Sequence, residues 1–276
     1  MKVWFITGAS KGLGLALAKQ LLSQGYKVAA TSRRLSDLQK ALGEQSDSFL
    51  PLEADIKHEA QAEAAIARTV EHFGKLDVIV NNAGYGLVGG LEELTDAEAR
   101  ENFNVNVFGS LNVIRKALPY LRAQRSGYIF NISSIGGLSG EFPGFGVYCA
   151  TKFAVNGLTE ALAAEVKEFG IRVTVVEPGY FRTNFPESDS VRLPATEIAE
   201  YKAVRDVQRL HTDSINGNQP NDPDKAAVAL IQVAEGAEAP LHLVLGGDAY
   251  KMAIEKLQSL EQNFRQWESV SASTAY

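Results

Sequence analysis

A tyrosine and a lysine four residues apart, Tyr148 and Lys152, are the first side chains in this sequence with the makings of chemistry. On a helix that spacing puts both on one face. An ammonium beside a phenol favours phenolate, so a group with an ordinary pKa of about 10 becomes a usable proton donor and acceptor. Far upstream, Thr7-Gly8-Ala9-Ser10-Lys11-Gly12-Leu13-Gly14 joins the apolar run Val3-Trp4-Phe5-Ile6 to a helix-like segment, Leu13 to Leu22. A glycine turn between strand and helix aims backbone N–H groups and a helix N-terminus at an anion, and lets a pyrophosphate come close. A nucleotide grip together with a tuned phenol points to redox chemistry at a carbonyl or alcohol.

The elements that must position these groups are legible. Candidate strands are 2–7, 27–31, 49–53, 77–81, 128–133, 172–177 and 241–245, several of them continuous apolar runs of the kind a parallel sheet covered on both faces requires. Helices lie between them. Ser36 with Gln39, and Thr95 with Glu98, have capping-box spacing, and Asp222-Pro223 reads as an N-cap with proline in the first turn. Long helices are expected at 95–122 and 147–169. The alternation implies an α/β fold with a doubly wound, Rossmann-type, seven-stranded parallel sheet and helices on both faces. We read residues 1–268 as a single domain, with 180–220 as a lid over the substrate site, 249–268 as a C-terminal helix and 269–276 as a flexible tail.

In such a sheet, ligands bind beyond the strand C-termini. Asn81-Asn82-Ala83-Gly84, Ile132-Ser133-Ser134 and Pro178-Gly179 all end candidate strands, so they converge with the glycine turn on one crevice. Ser134 precedes Tyr148 by 14 residues through a glycine-rich loop, which lets its hydroxyl approach the phenol. Taken singly, each Asn, Gly or Ser is an ordinary turn former. Gly8-Ala9-Ser10-Lys11-Gly12 also matches a hydrolase nucleophile elbow, but only Met1 to Thr7 precede it to build an oxyanion hole, and Gly14 is left unexplained.

Composition narrows the classes. The chain has 276 residues, 45% hydrophobic and 22% charged, with a net charge of −6, which argues against nucleic-acid binding. Its one cysteine, Cys149, fits a reducing, cytoplasmic setting and reads as a packed thiol. No apolar stretch approaches a membrane span, no secretory leader is evident, and the four histidines, His58, His72, His211 and His242, lack metal-ligand spacing.

Thr7–Gly14, Asn81–Gly84, Asn106 within Val105-Asn106-Val107, Ser134, Tyr148 with Lys152, and Pro178-Gly179 with Thr183 together resemble the short-chain dehydrogenase/reductase family, in order and spacing over residues 1 to about 245. The stretch around Tyr148 is most similar to hydroxysteroid- and retinol-type members. The resemblance implies Asn106, Ser134, Tyr148 and Lys152 as the catalytic set. Tyr148 would move the proton, Ser134 would hold the substrate oxygen, and Lys152 would grip the nicotinamide ribose and lower the phenol's pKa. Asn106 would hold a relay water. It further implies a cofactor site from Gly8, Ser10, Lys11, Gly12, Leu13, Gly14, Ser32, Arg33, Arg34, Asp55, Ile56, Asn82, Ala83, Gly84, Tyr148, Lys152, Pro178, Gly179, Phe181 and Thr183, with Asp55 meeting adenine. The family commonly pairs through its long helices, so a homodimer or homotetramer is expected.

The end of the second strand reads Thr31-Ser32-Arg33-Arg34, without the acid that would receive a ribose 2′-hydroxyl. With Lys11 in the turn, these cations suit a 2′-phosphate, so NADP(H) is the expected cofactor. Tyr85, Ile135, Leu138, Phe142, Phe145, Tyr180, Phe181 and Phe185 are candidates for an apolar substrate lining, which suggests a small-molecule ketone or alcohol with a hydrophobic body. The expected function is an NADPH-dependent carbonyl reductase. A non-catalytic NADP sensor or scaffold on the same fold is the alternative, disfavoured because sensing requires only the nucleotide site.

Overall fold

The computed structural model describes residues 1–183, 191–211 and 218–276. Seven strands form one parallel sheet: β1 (Val3–Ile6), β2 (Lys27–Ser32), β3 (Phe49–Glu53), β4 (Val78–Asn81), a strand at Gly127–Ile132, another at Ile171–Pro178, and the last at His242–Leu245. Two very short strands, β5 (Gly86–Leu87) and β8 (Val191–Arg192), pair with each other outside it. With those counted in chain order, the later sheet strands are β6, β7 and β9, and the spatial order is β3-β2-β1-β4-β6-β7-β9. The order reverses direction between β1 and β4, the switch point at which a doubly wound sheet opens its ligand crevice.

Residue alternation builds two cores from one sheet. In β1, Val3 and Phe5 face one layer while Trp4 and Ile6 face the other. Ile79 and Ile129 join the first layer, and Val78, Val80, Tyr128 and Phe130 join the second. This is the period of two expected of a strand buried on both sides. The first layer is roofed by α3 (Glu59–Phe73), α5 (Ser110–Gln124) and α6 (Gly146–Val166), through Ile66, Val113, Ile114 and Leu162. The second is roofed by α1 (Gly12–Ser23), α2 (Leu35–Leu42) and α8 (Pro223–Glu235), through Leu17, Leu21, Leu38 and Leu230.

Two helix starts match their sequence signatures. Thr95 and Glu98 form a reciprocal capping box ahead of α4 (Asp96–Phe103), and the Asp222 side chain accepts from the Asp224 N–H. The Ser36–Gln39 box does not form. The α2 helix begins at Leu35, whose N–H is met instead by the Glu53 carboxylate at the end of β3, 3.0 Å away, so a tertiary partner replaces the local cap. The helix expected over 95–122 is three pieces: α4, a π-helical segment Asn104–Gly109, and α5. At the C-terminus, α9 (Gly247–Gln266) is followed by α10 (Glu268–Ala272), so helix extends past the expected end at 268. Of the segment expected to act as a lid, α7 (Lys202–Arg209) and β8 are described, while 184–190 and 212–217 lie outside the described residues. Among the described residues, no helix is long and apolar enough to cross a membrane.

Candidate active site

The C-terminal ends of β1 and β4 are laced together by two side chains. The Thr7 hydroxyl accepts from the Asn82 and Ala83 N–H groups, each at 3.0 Å. The Asn82 side-chain amide donates to the carbonyls of Thr7 and Gly8 at 2.9 and 3.0 Å. Gly8 has a φ of +65° and lies so near this seam that a Cβ there would be 2.9 Å from the Ala83 backbone. Gly14 is bare for a different reason: a Cβ would be 2.5 Å from the Asn82 amide nitrogen. It does not line the cavity, so its part is to let α1 close on the Asn82 turn. The N-cap of α1, Lys11, makes no side-chain cap hydrogen bond, and no acid occupies the first turn, which leaves the first-turn N–H groups directed at the crevice.

A cavity of about 850 Å³ runs from this turn to the opposite end of the crevice. Gly8, Ser10, Lys11, Gly12 and Leu13 line it, with Ser32, Arg33, Arg34, Asp55 and Ile56, then Asn82 to Gly84, and finally Pro178, Gly179, Phe181 and Thr183. The cradle, the uncapped helix end and the length of the groove fit a dinucleotide. At the β2 end, Ser32 and Ser10 hydroxyls are 3.3 Å apart, and Arg33 is exposed. Arg34 is tied to Asp37 by a 2.8 Å ion pair, so it is the less available of the two arginines. Lys40 and Asp37 also line this end; sequence reading missed both because they lie a helical turn beyond the motif.

Ser134, Tyr148 and Lys152 meet in the same cavity. Tyr148 and Lys152 share a face of α6 as their spacing requires, with the Lys152 ammonium 5.6 Å from the centre of the tyrosine ring. Burial pushes the Tyr148 phenol up to about 12, and a hydrogen bond from the Ser134 hydroxyl works in the opposite direction. Lys152 is brought down to about 8 by burial, and its ammonium donates to the Ile132 carbonyl at 2.9 Å. The upward shift of the phenol is set by desolvation, with Ser134 as the group that lowers it. Ser134 is the serine that reaches the phenol, whereas the Ser133 hydroxyl is spent on the Lys152 carbonyl at 3.2 Å.

Asn106 lies in the π-helical segment, fully buried. Its Oδ1 accepts from the Tyr85 N–H, and its Nδ2 donates to the Tyr85 carbonyl and the Thr151 hydroxyl, all at 3.0 Å. Both amide hydrogens are used by protein, so the observed role is to hold the Gly84–Tyr85 turn against α6. The π-helical segment that carries it interrupts the α-helical register between α4 and α5.

Of the expected substrate residues, Tyr85, Ile135, Phe142, Phe145 and Tyr180 line the cavity. Leu138 packs instead with Ile135, Ala249 and Ala253, and Phe185 lies outside the described residues. Cys149 also lines it; burial pushes its thiol up to about 11, which keeps it an unreactive packing group. Residues the sequence reading passed over complete the wall. Arg192, on β8, lies over the Tyr85 ring at 4.5 Å, and His211 and Gln219 come from the two described ends flanking 212–217. Asn221 and Asp248 pin the turn after β7: the Tyr180 N–H donates to Asp248 at 2.9 Å, and Asn221 donates to Asp248 and to the Tyr180 carbonyl. None of these has a local sequence signature, because each is recruited from a distant element.

The sequence model of the short chain dehydrogenase family matches residues 2–192. The chain is 35% identical to "Oxidoreductase BOA17" of Botryotinia fuckeliana over 99% of both chains. It is also 35% identical to a 3-ketodihydrosphingosine reductase of Bacteroides thetaiotaomicron, over 89% of this chain and 88% of that protein. A solved short-chain dehydrogenase from Streptomyces avermitilis superposes over all of both chains with a TM-score of 0.91 at 37% identity. The chain belongs to the short-chain dehydrogenase/reductase family. It is an oxidoreductase of that family with its seven-stranded Rossmann-type sheet.

Proposed function

We propose that the protein is an NADPH-dependent carbonyl reductase and alcohol dehydrogenase acting on a ketone or secondary alcohol with an apolar body. The observation that carries this reading is the meeting of Ser134, Tyr148 and Lys152 in the same cavity as the glycine turn. A bound nicotinamide would supply or accept the hydride. Gly8, Ser10, Gly12 and Leu13 with the N-terminus of α1 would hold the pyrophosphate, and Asp55 with Ile56 the adenine. Asn82 to Gly84, Pro178, Gly179, Phe181 and Thr183 would enclose the nicotinamide half.

The chain's own groups then have distinct tasks. In the reductive direction Tyr148, protonated because its pKa is high, gives its hydroxyl proton to the substrate oxygen as negative charge develops there. Ser134 donates a hydrogen bond to the same oxygen. Lys152 holds the ribose and restores charge balance near the phenolate that Tyr148 becomes. Asn106 keeps the Gly84–Tyr85 turn in place. Lys11, Ser32 and Arg33 favour a 2′-phosphate, while Asp37 is already engaged by Arg34. The single buried thiol fits a cytoplasmic location.

The test is NADPH absorbance during incubation with a panel of aliphatic, aromatic and steroid ketones, alongside NADPH fluorescence titration. Turnover supports the reading. Tight NADPH binding without turnover of any ketone or reverse oxidation of any alcohol would leave the sensor alternative standing.

A further inference from the structure

Beside the catalytic phenol, the cavity wall contains a histidine–tyrosine pair with a defined proton arrangement. His211 Nδ1 lies 2.8 Å from the Val207 carbonyl, which can only accept, so Nδ1 carries the hydrogen. In the neutral ring Nε2 is then an acceptor, and the Tyr180 hydroxyl, 3.1 Å away, donates to it. Tyr180 Oη is left with its lone pairs and no hydrogen to offer. Gln219, 3% exposed, belongs to the same wall, but its Oε1 is sealed from the cavity and has no hydrogen-bond partner among the described residues. Its segment is tied to the Tyr180 stretch, since Arg182 donates to the Gln219 carbonyl and the Asn221 N–H to the Tyr180 carbonyl. The Tyr180 hydroxyl is thus an acceptor in a cavity also lined by Phe142 and Phe145. The Phe145 ring packs against both the His211 and the Tyr148 rings, with centres 4.9 and 6.0 Å away.

We propose that Tyr180, oriented by His211, is a specificity determinant selecting ketones that carry a hydroxyl or amine several carbons from the reacting carbonyl. The inference rests on the carbonyl-reductase reading and narrows it to a substrate class: carbonyl at Tyr148, apolar middle across Phe145, hydrogen-bond donor at Tyr180. The selection is built from tertiary contacts. The Glu93 carboxylate accepts from the Gly90 and Ile198 N–H groups and pairs with Arg205, which fixes α7 and so His211 at its end. A half-buried acceptor such as Tyr180 discriminates once a bound substrate closes it off from water, because a substrate lacking the donor leaves it unsatisfied.

The experiment compares 6-hydroxyhexan-2-one and 8-hydroxyoctan-2-one with hexan-2-one and octan-2-one, as kcat/KM with NADPH. The wild-type protein should favour at least one hydroxylated member by roughly tenfold or more, the worth of one ordinary hydrogen bond. Tyr180→Phe and His211→Phe should bring that ratio to about one, whereas a merely structural defect would lower both members alike and preserve it. A wild-type ratio near one at both chain lengths, or a preference surviving Tyr180→Phe, overturns the inference. If no ketone turns over, equilibrium binding of the same pairs to the protein saturated with NADP+ gives the independent reading: a tenfold preference upholds the inference, equal affinities overturn it, and the loss of turnover counts only against the carbonyl-reductase reading.

Discussion

In the proposed reaction Tyr148 would act as a neutral phenol. Burial raises its pKa to about 12, so in the reductive direction it stays protonated across the whole working range of pH. Tyr148→Phe keeps the ring and removes the proton, and kcat should fall roughly 10²-fold or more while the dissociation constant for NADPH barely changes. Near-normal turnover in steady-state assays would move proton transfer elsewhere. Lys152 titrates within reach of experiment, since burial brings it down to about 8. Below that pH the ammonium is present, and above it the charge is lost. Reductive kcat/KM, which reports the free enzyme, should therefore be flat below pH 8 and decline above it. A profile that is level to pH 10 would show that the ammonium's charge is not needed.

At the scale of elements, the segment between β7 and α8 is fastened by a few strong contacts. β8 pairs with Gly86 and Leu87, and among the described residues Glu93 is a principal anchor of α7 through Ile198 and Arg205. Burial alone would raise the Glu93 carboxyl, but the Ile198 and Gly90 amides and Arg205 together hold it below the usual range. Glu93→Gln keeps the shape and leaves Arg205, its side chain 13% exposed, with Glu197 as its remaining carboxylate partner. With that partner in place the loss should be about 1–2 kcal/mol, less than for a buried charge left unpaired. Urea unfolding should show that loss, and amide exchange over 191–209 should quicken more than in the sheet. In the wild-type protein the same segment should exchange faster than the central strands and slow when NADPH and a ketone bind, as expected of a lid. Protection equal to that of the sheet in the free protein would sink the lid.

For the molecule as a whole, coenzyme choice and assembly are the open consequences of charge and exposed apolar surface. Lys11, Arg33 and Ser32 line the β2 end of the cavity, where the phosphate of NADPH would bring nearly two negative charges. Two charge-assisted contacts, discounted for exposure, should favour NADPH over NADH by roughly 10²-fold in kcat/KM. Arg33→Asp with Lys11→Ala should reverse that preference, and added salt should weaken it. A wild-type preference for NADH at either ionic strength would show these cations to be solvent-facing charges only. Phe108 and Phe153 are 52% and 46% exposed, the first on the π-helical segment before α5 and the second on α6. They fall on the two helices expected to pair copies of the chain, so a dimer or tetramer should form and Phe153→Glu should weaken it. Light scattering that finds a monomer for the wild-type protein at micromolar concentration would end that expectation.

Local chemistry determined much of this protein in advance. The strands were legible because residues buried on both faces of a sheet must be apolar without interruption, and the glycine turn because only glycine tolerates the φ of Gly8 and the approach at Gly14. Tyr148 and Lys152 were legible because their relation is a helical period. What required the folded chain were relations between distant elements. Glu53 capping α2 in place of Ser36, the break of the 95–122 helix at its π segment, and Asn106 spending both amide hydrogens on protein are settled by neighbours far away in sequence. The same holds for the desolvation that raises the Tyr148 phenol. His211 has no sequence neighbour that marks it; its position against Tyr180 follows from α7 being anchored to Glu93 across more than a hundred residues of chain. Periodicity and turn geometry act over a few residues and can be read from sequence, whereas burial and long-range partners exist only once the chain has closed on itself.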